Sequence, residues 1–313
     1  MYFRSVKKYQ LQQRLSISFG IILLLLIVLF TGSCEKFEGD QTIPAYIQID
    51  TFMLVKNPLM EEGTQTQNIT DVWVFVDDQT IGAFELPATI PVLESGTHKL
   101  TILPGILYSG MTGTRGPYPF MYPEIIEDYE FIVDSTKTVT PVTTYRETTF
   151  FAWYEDFEGN FISLEPTNNS DTVLLFQEHD PADPDFGTAS GIAYLNSEHP
   201  ILECATNVTS GEGIDLPGNG VPVFLEMDYN INHPLVVGIY VYEFGNQITQ
   251  HPVVVINPTN GKWKKIYINL SAPISGFGQA DFFNIFIRSD KVEGYDDPVI
   301  MVDNFKLIHR EVE

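Results

Sequence analysis

Covalent or metal chemistry in this chain would have to come from two thiols, Cys34 and Cys204, from six histidines, or from its many carboxylates. None of them stands at a spacing that specifies a reaction. There is no His-Glu-x-x-His, no Gly-x-Ser-x-Gly, no phosphate-cradling P-loop, and no Gly-x-Gly-x-x-Gly after a strand. Gly187-Thr-Ala-Ser-Gly191 sets its serine one place late for a nucleophile elbow. A glycosidase needs two carboxylates about 5–10 Å apart, and among 41 acidic residues the spacing selects no pair. Structural zinc needs about four Cys or His ligands, and none are set at motif spacing. His179-Asp-Pro-Ala-Asp-Pro-Asp-Phe186 gathers three carboxylates without the glycine and distal glutamate of an EF-hand loop. Cys204, in Leu202-Glu-Cys-Ala205, reads as a small buried hydrophobe. The expectation is a protein that binds rather than catalyses.

Residues suited to binding are more prominent. In Gly110-Met-Thr-Gly-Thr-Arg-Gly-Pro-Tyr-Pro-Phe-Met-Tyr-Pro123, prolines interleave with Tyr118, Phe120 and Tyr122 and stiffen the backbone. Stiff aromatics lose little entropy on binding, so the loop could dock a protein partner. Alternatively, its rings cover the protein's own sheet or an interdomain seam. Both readings stay open.

The first 33 residues read as an export signal. Arg4, Lys7, Lys8 and Arg14 form a basic head, followed by the apolar run Phe19–Phe30 and the small residues Thr31-Gly32-Ser33. The run is about a dozen residues, short of the ~20 that span a bilayer. Ending in small residues and then Cys34, it resembles a bacterial lipoprotein signal. That resemblance implies that Cys34 is acylated and becomes the first mature residue. The following Glu35-Lys-Phe-Glu-Gly-Asp40 is similar to the acidic stretch behind the cysteine of surface-displayed Bacteroidota lipoproteins. It implies an outer-membrane location, a lipid anchor and a tether over 34–44. With Cys34 acylated, Cys204 has no intramolecular partner, so no disulfide is expected.

All 41 acidic residues follow Cys34, and 17 basic residues less the four before it leave 13, so the remainder carries about 13 − 41 = −28. Such a field excludes nucleic acid as a partner and keeps an exported chain soluble. A hydrophobic fraction of 44% with 13% aromatic residues is enough for packed cores.

From residue 45 onward the pattern is β. Tyr46–Asp50, Phe52–Val55 and Asp71–Val76 are short runs of β-formers. Asp77-Asp78 turns the last of these into Ile81–Phe84 as a hairpin. Val74-Phe-Val-Asp77, Ile81-Gly82, Leu86-Pro87, Gly96-Thr-His98 and Pro104-Gly105 resemble PEGA-type immunoglobulin-like envelope modules, which implies a sandwich over 45–150.

A second region over 151–313 continues with strands and Gly/Pro/Asn turns. In Val223–Ile231, Val223, Leu225, Met227 and Ile231 share one face and Glu226, Asp228 and Asn230 the other. In Val236–Phe244, Val237, Ile239 and Val241 oppose Tyr240, Tyr242 and Phe244. Glu155-Asp-Phe-Glu158, Gly261-Lys-Trp263 before Ile266–Leu270, and Val302-Asp-Asn-Phe-Lys-Leu307 resemble the galactose-binding-like jelly rolls of many carbohydrate-binding modules. The resemblance implies a structural calcium at Glu155, Asp156, Glu158 and Asp303, with ordinary capping and surface carboxylates as the alternative. It also implies glycan contacts at Tyr240, Tyr242, Trp263, Tyr267, Asn284 and Arg288, the alternative being that these fill a core or sheet seam.

The whole reads as all-β: two sandwich modules behind a lipoprotein signal, non-catalytic, without a cofactor other than a structural calcium. Its partners are expected to be the membrane through its lipid, and a glycan or an envelope protein. The rival expectation is a structural subunit of an outer-membrane assembly, docking through residues 110–123.

Overall fold

Alternation of β-branched and polar residues from Ala45 onward produces strands along almost the whole chain. The structure, a computed structural model, describes residues 43–179, 187–245, 247–295 and 297–311. The signal segment and Cys34 lie outside the described residues. Strands β1 (Ala45–Ile49), β2 (Met53–Leu54), β3 (Asp71–Val76), β4 (Gln79–Glu85), β5 (Ala88–Val92) and β6 (Gly96–Leu107) come first. They are followed by β7 (Arg115–Pro117), β8 (Glu124–Phe131), β9 (Thr136–Thr138) and β10 (Val142–Thr143). One sheet runs β4-β3-β6-β7 with β8 also on β6, and β5-β1-β9 and β10-β2 form two small sheets. Ile47, Ile49, Val72, Val74, Ile90, Leu100 and Ile102 close on one another as a core.

The β3–β4 hairpin shows how the sequence sets this sandwich. Asp77 and Asp78 have φ of 47° and 63°, the left-handed pair that matches the twist of a two-residue hairpin. Aspartate tolerates that region because its side chain bonds locally. Here the Asp77 carboxylate accepts a hydrogen bond from the Lys99 backbone N–H at 3.0 Å and lies 2.7 Å from His98 Nδ1. His98 thus clamps the turn and is held more basic than usual by Asp77, whose own pKa is lowered in return.

The rest of the chain adds β11 (Thr149–Glu155), β12 (Leu164–Pro166), β13 (Leu175–Glu178), β14 (Ala189–Tyr194), β15 (Ile201–Thr206) and β16 (Val223–Ile231). It continues with β17 (Leu235–Glu243), β18 (Gln247–Ile256), β19 (Lys264–Asn269), the single-turn helix α1 (Ser271–Gly276), β20 (Ala280–Asp290) and β21 (Val299–Arg310). One sheet runs β13-β14-β21-β16-β19, with β11 also on β21, and the other β12-β15-β20-β17-β18. Val223, Leu225, Met227 and Ile231 meet Val237, Ile239, Val241, Ile285 and Ile287 in the core between them. The all-β sandwich expectation is met.

The two sets of strands belong to one compact unit from Pro44 onward. The second core reaches into the first: Phe224, Tyr267 and Ile308 pack with Tyr118, Phe120 and Tyr145. The opposite face of β16 also turns to this seam, not to solvent. Glu226 is fully buried, accepting hydrogen bonds from Tyr118 Oη at 2.6 Å and Tyr145 Oη at 2.8 Å. Lys265 Nζ, equally buried, lies 3.2 Å from Glu226 and 3.8 Å from Asp228. Asp228 is bonded further by Thr66 Oγ1 at 2.6 Å and Asn304 Nδ2 at 2.9 Å. A low-dielectric ion pair persists only when its remaining lone pairs are satisfied, and here donors from both sandwiches do so. The backbone closes the join, with Ser109 N–H donating to Tyr267 O at 2.7 Å.

Of the two readings left open for the Tyr/Pro loop, Tyr118 and Phe120 follow the one in which its rings cover an interdomain seam, and they offer no docking surface. Tyr118 and Phe120 are each about 2% exposed, because their rings pack edge-on against Phe224 at 5.5 and 5.8 Å. Only Tyr122 of the three stays exposed, with the Arg146 guanidinium 4.9 Å over its ring. The prolines stiffen a plug for the seam.

Candidate functional site

Strict alternation on β15, β17 and β20 sends one set of side chains into the core and lays the other on the outer face of the five-stranded sheet. Register then decides which outer residues meet. Tyr240 lies opposite Asn284 on β20 and Gln250 on β18, and Tyr242 opposite Phe282. Glu203 lies opposite Arg288. Four of the six residues expected to contact a glycan, Tyr240, Tyr242, Asn284 and Arg288, therefore share one face.

At its centre is Glu203, which the sequence reading passed over. Its side chain is fully buried. Oε1 accepts from Thr167 Oγ1 at 2.6 Å, Tyr240 Oη at 2.8 Å and Asn169 Nδ2 at 2.9 Å. Oε2 accepts from Arg288 Nη1 at 2.6 Å and Gln250 Nε2 at 3.0 Å. Burial works against the charge, but the hydrogen bonds from Thr167, Arg288, Asn169 and Tyr240 outweigh it and hold the Glu203 carboxyl down at about 2. Arg288 is fixed from its other side by Asp290, at 2.7 Å from Nε and 2.5 Å from Nη2. Burial, then the bond to Glu203, pushes the Tyr240 phenol well up, so it stays a neutral donor.

Beside this polar group lies an aromatic one. Tyr242 stacks on Phe282 with centroids 4.5 Å apart at 26°, and Tyr240 tilts against Phe286 at 5.0 Å. Phe286 fits because β17 has glycine at 238: a Cβ there would run into its ring and into the His251 carbonyl. Asn284 is buried, its Nδ2 3.5 Å from Tyr242 Oη, and its Oδ1 has no hydrogen-bond partner among the described residues. Exposure rises from this centre to the β18 edge, where Ile248, Gln250 and Val255 are open to solvent. Flat half-buried rings among pre-fixed amide, hydroxyl and guanidinium groups suit a polyhydroxylated ligand.

The other two expected contacts lie elsewhere. Tyr267 is 1% exposed in the seam, its hydroxyl accepting from Asn68 N–H at 3.1 Å, so it cannot share a ligand with Tyr240. Trp263 lines a separate cavity of about 620 Å³, along with Gln65, Thr66, Gln67, Asn68, Asp228, Lys264 and Lys265.

The four carboxylates assigned to calcium do not form one set. Glu155 is engaged by Phe157 N–H at 2.8 Å and by Ser163 N–H and Oγ at 2.5 and 2.6 Å. Glu158 holds the backbone N–H groups of Thr188 and Ala189 at 2.5 and 3.1 Å, and Asp156 caps Glu158 N–H at 3.2 Å. These are turn-fixing bonds. Asp303 is fully buried 3.6 Å from His179 Nε2, and burial, then the nearby acids, pushes it up to about 9. Among the described residues no three His, Cys, Asp or Glu side chains are grouped to hold a metal ion.

No protein-family profile matches the chain, and no curated protein is detectably similar to it. Solved structures align weakly. The CBM22-1 xylan-binding domain of Paenibacillus barcinonensis Xyn10C is 11% identical over 54% of this chain and 99% of that chain, with a TM-score of 0.37. Clostridium thermocellum endo-1,4-β-D-xylanase 10B, as its CBM22-1–GH10 modules with xylohexaose, is 17% identical over 52% of this chain, TM-score 0.37. The match spans only 29% of that xylanase chain. A carbohydrate-binding module of the β-sandwich superfamily aligns over 85% of this chain and 98% of that one at 11% identity, again with a TM-score of 0.37. At this level the alignments do not identify a ligand for the chain.

Proposed function

We propose that this is a non-catalytic glycan-binding protein of the bacterial cell envelope, with its binding surface on the outer face of the β12-β15-β20-β17-β18 sheet. The observation that carries the reading is the pairing of half-buried Tyr240 and the stacked Tyr242–Phe282 with hydrogen-bonding groups organised by Glu203. Sugar rings would lie against the aromatic pair, and their hydroxyls would take up the donors of Arg288 that Glu203 and Asp290 leave unused, both Gln250 Nε2 hydrogens being engaged by Glu203 and Tyr240. A guanidinium has five N–H donors, and three of Arg288's are engaged by Glu203 and Asp290.

Titration calorimetry against a panel of soluble plant and bacterial polysaccharides tests this. At least one should bind, and Tyr242→Ala or Arg288→Ala should each weaken it about tenfold or more, consistent with ~1–3 kcal/mol from an aromatic or charged contact. Full-strength binding in both variants would remove the site from this face.

The address of the protein is part of the proposal. The basic head, short apolar run and Thr31-Gly-Ser-Cys34 support acylation at Cys34, and the acidic residues at 35–40 support display on the outer membrane. Radiolabelled fatty acid should enter the parent chain and not Cys34→Ala; equal incorporation in the variant would refute the anchor.

A further inference from the structure

The turn between β16 and β17, Asn232-His233-Pro234, does more than reverse the chain. It holds the connection that runs from the end of β20 to the start of β21, and so from one sheet of the second sandwich to the other. Asn232 grips the far end of that connection: its Nδ2 donates to Asp297 O at 3.1 Å, and its Oδ1 accepts from Val299 N–H at 2.6 Å. His233 grips the near end. It is 1% exposed, its Nε2 accepts from Val292 N–H at 3.1 Å, and the Tyr295 ring meets it edge-on at 4.7 Å.

The bonds around this ring leave it one protonation state. Ser289 Oγ donates its hydrogen to Pro234 O at 2.8 Å. Toward His233 Nδ1, 3.0 Å away, it can therefore only accept, and Nδ1 carries the proton, with Pro234 O a second acceptor at 3.3 Å. A backbone N–H is a donor and nothing else, so Nε2 presents its lone pair to Val292. His233 is thus the neutral Nδ1–H tautomer. A second proton has only Nε2 to go to, where it would confront the Val292 N–H in a buried site. Burial is the largest influence on the ring and holds it less basic than usual; nearby Lys291 adds to this, while the Pro234 carbonyl and Asp290 oppose it. Lys291 is itself tied down, its N–H to Pro200 O at 2.7 Å and its Nζ to Tyr295 O at 3.1 Å.

We propose that His233 is an acid-sensitive latch: its protonation breaks the bond to Val292 and frees Val292–Tyr295 from the β16–β17 turn, while the Asn232 end holds. Histidine is the side chain whose ordinary pKa lets it change charge between about pH 5 and 8, and the Asn232 amide has no proton to gain there. Unfolded, the imidazole takes up its proton at ~6.5; folded, it resists. The latch therefore contributes in full above about pH 6.5 and is lost as the pH falls. It lies apart from the aromatic pair of the sheet face and does not depend on what that face binds.

The test uses the purified full chain. Side-chain nitrogen NMR should show His233 as the Nδ1–H tautomer at neutral pH, with a titration midpoint below the ordinary ~6.5. Hydrogen exchange, corrected for its intrinsic pH dependence, should show protection of the Val292 N–H falling about tenfold or more between neutral pH and about pH 5, as for the loss of one buried hydrogen bond. The Val299 N–H, held by Asn232, should keep its protection and serves as the internal reference. His233→Gln cannot take up the proton and should flatten the Val292 profile; if that variant does not fold, the parent's measurements decide alone. The Nε2–H tautomer, a midpoint at or above ~6.5, unchanged protection of Val292, equal losses at Val292 and Val299, or an acid response that persists in folded His233→Gln would each overturn the inference.

Discussion

Replacing Glu226 with glutamine tests whether the buried seam makes one protein of two sandwiches. The substitution keeps the shape and removes one charge. Two phenol hydroxyls donate to this carboxylate, Tyr118 at 2.6 Å and Tyr145 shared between both oxygens at 2.8 and 2.9 Å, and the 3.2 Å pair with Lys265 also ends on it. Bonds to a charged group contribute about 1.5–3 kcal/mol and neutral ones ~1 kcal/mol, so the tyrosine contacts alone weaken by about 2–3 kcal/mol. Lys265 is then left with Asp228 at 3.8 Å, and breaking a buried pair from one side costs about 3–5 kcal/mol in all. For a chain of this size, ~2 °C per kcal/mol gives a Tm lower by about 6–10 °C in scanning calorimetry. Lys265→Met should cost a similar amount. The double variant, with both charges gone, should recover at least about 2 kcal/mol relative to the sum. A single endotherm that moves as a whole shows that the sandwiches unfold together. A fall below about 2 °C, or strictly additive single variants, would refute the reasoning.

Two further predictions concern the sheet face. Glu203 has a depressed pKa, so its contribution is present above the unfolded value of ~4.5 and is lost as the pH falls toward about 2. Glu203→Gln should therefore be about 2 kcal/mol less stable than the parent at pH 7, and Tm measurements should show that gap closing between pH 4.5 and 2; a constant gap would contradict the assignment. Gly238→Ala drives a methyl into the Phe286 ring and the His251 carbonyl, at about 1–3 kcal/mol. Denaturant melts should show that loss together with weakened glycan binding, and a neutral substitution would mean that Phe286 has room to move.

The fold was legible because its signal is local. The alternation in Val223–Ile231 and Val236–Phe244 and the Asp77-Asp78 turn each fix an element from adjacent residues, and each is found in the structure. Part of the site was legible for the same reason: Tyr240 and Tyr242 are two apart on one strand. Glu203 was not, because its partners Thr167, Asn169, Tyr240, Gln250 and Arg288 come from four other segments, as many as 85 residues away. A carboxylate between the buried Leu202 and Cys204 was the available hint. The seam was also hidden, since alternation says that Glu226 and Asp228 face away from one core but not that a second body covers them. The role of Tyr118 and Phe120 stayed open on this ground: proline-stiffened aromatics look alike whether they meet a partner or another part of the same chain.

Cys204 lies next to Glu203 on β15 and points to the opposite side of the sheet, fully buried, its thiol pushed up to about 12 by that burial. In the folded protein it is closed to alkylating reagents, and with Cys34 acylated or replaced it is the sole thiol in the chain. The strand that carries the centre of the proposed binding face therefore also carries its own clock. The rate at which a thiol reagent labels Cys204 measures how often β15 opens. A ligand held on the face must slow that clock by the factor its occupancy dictates. Binding can then be read without a spectroscopic probe on the ligand or any alteration of the site.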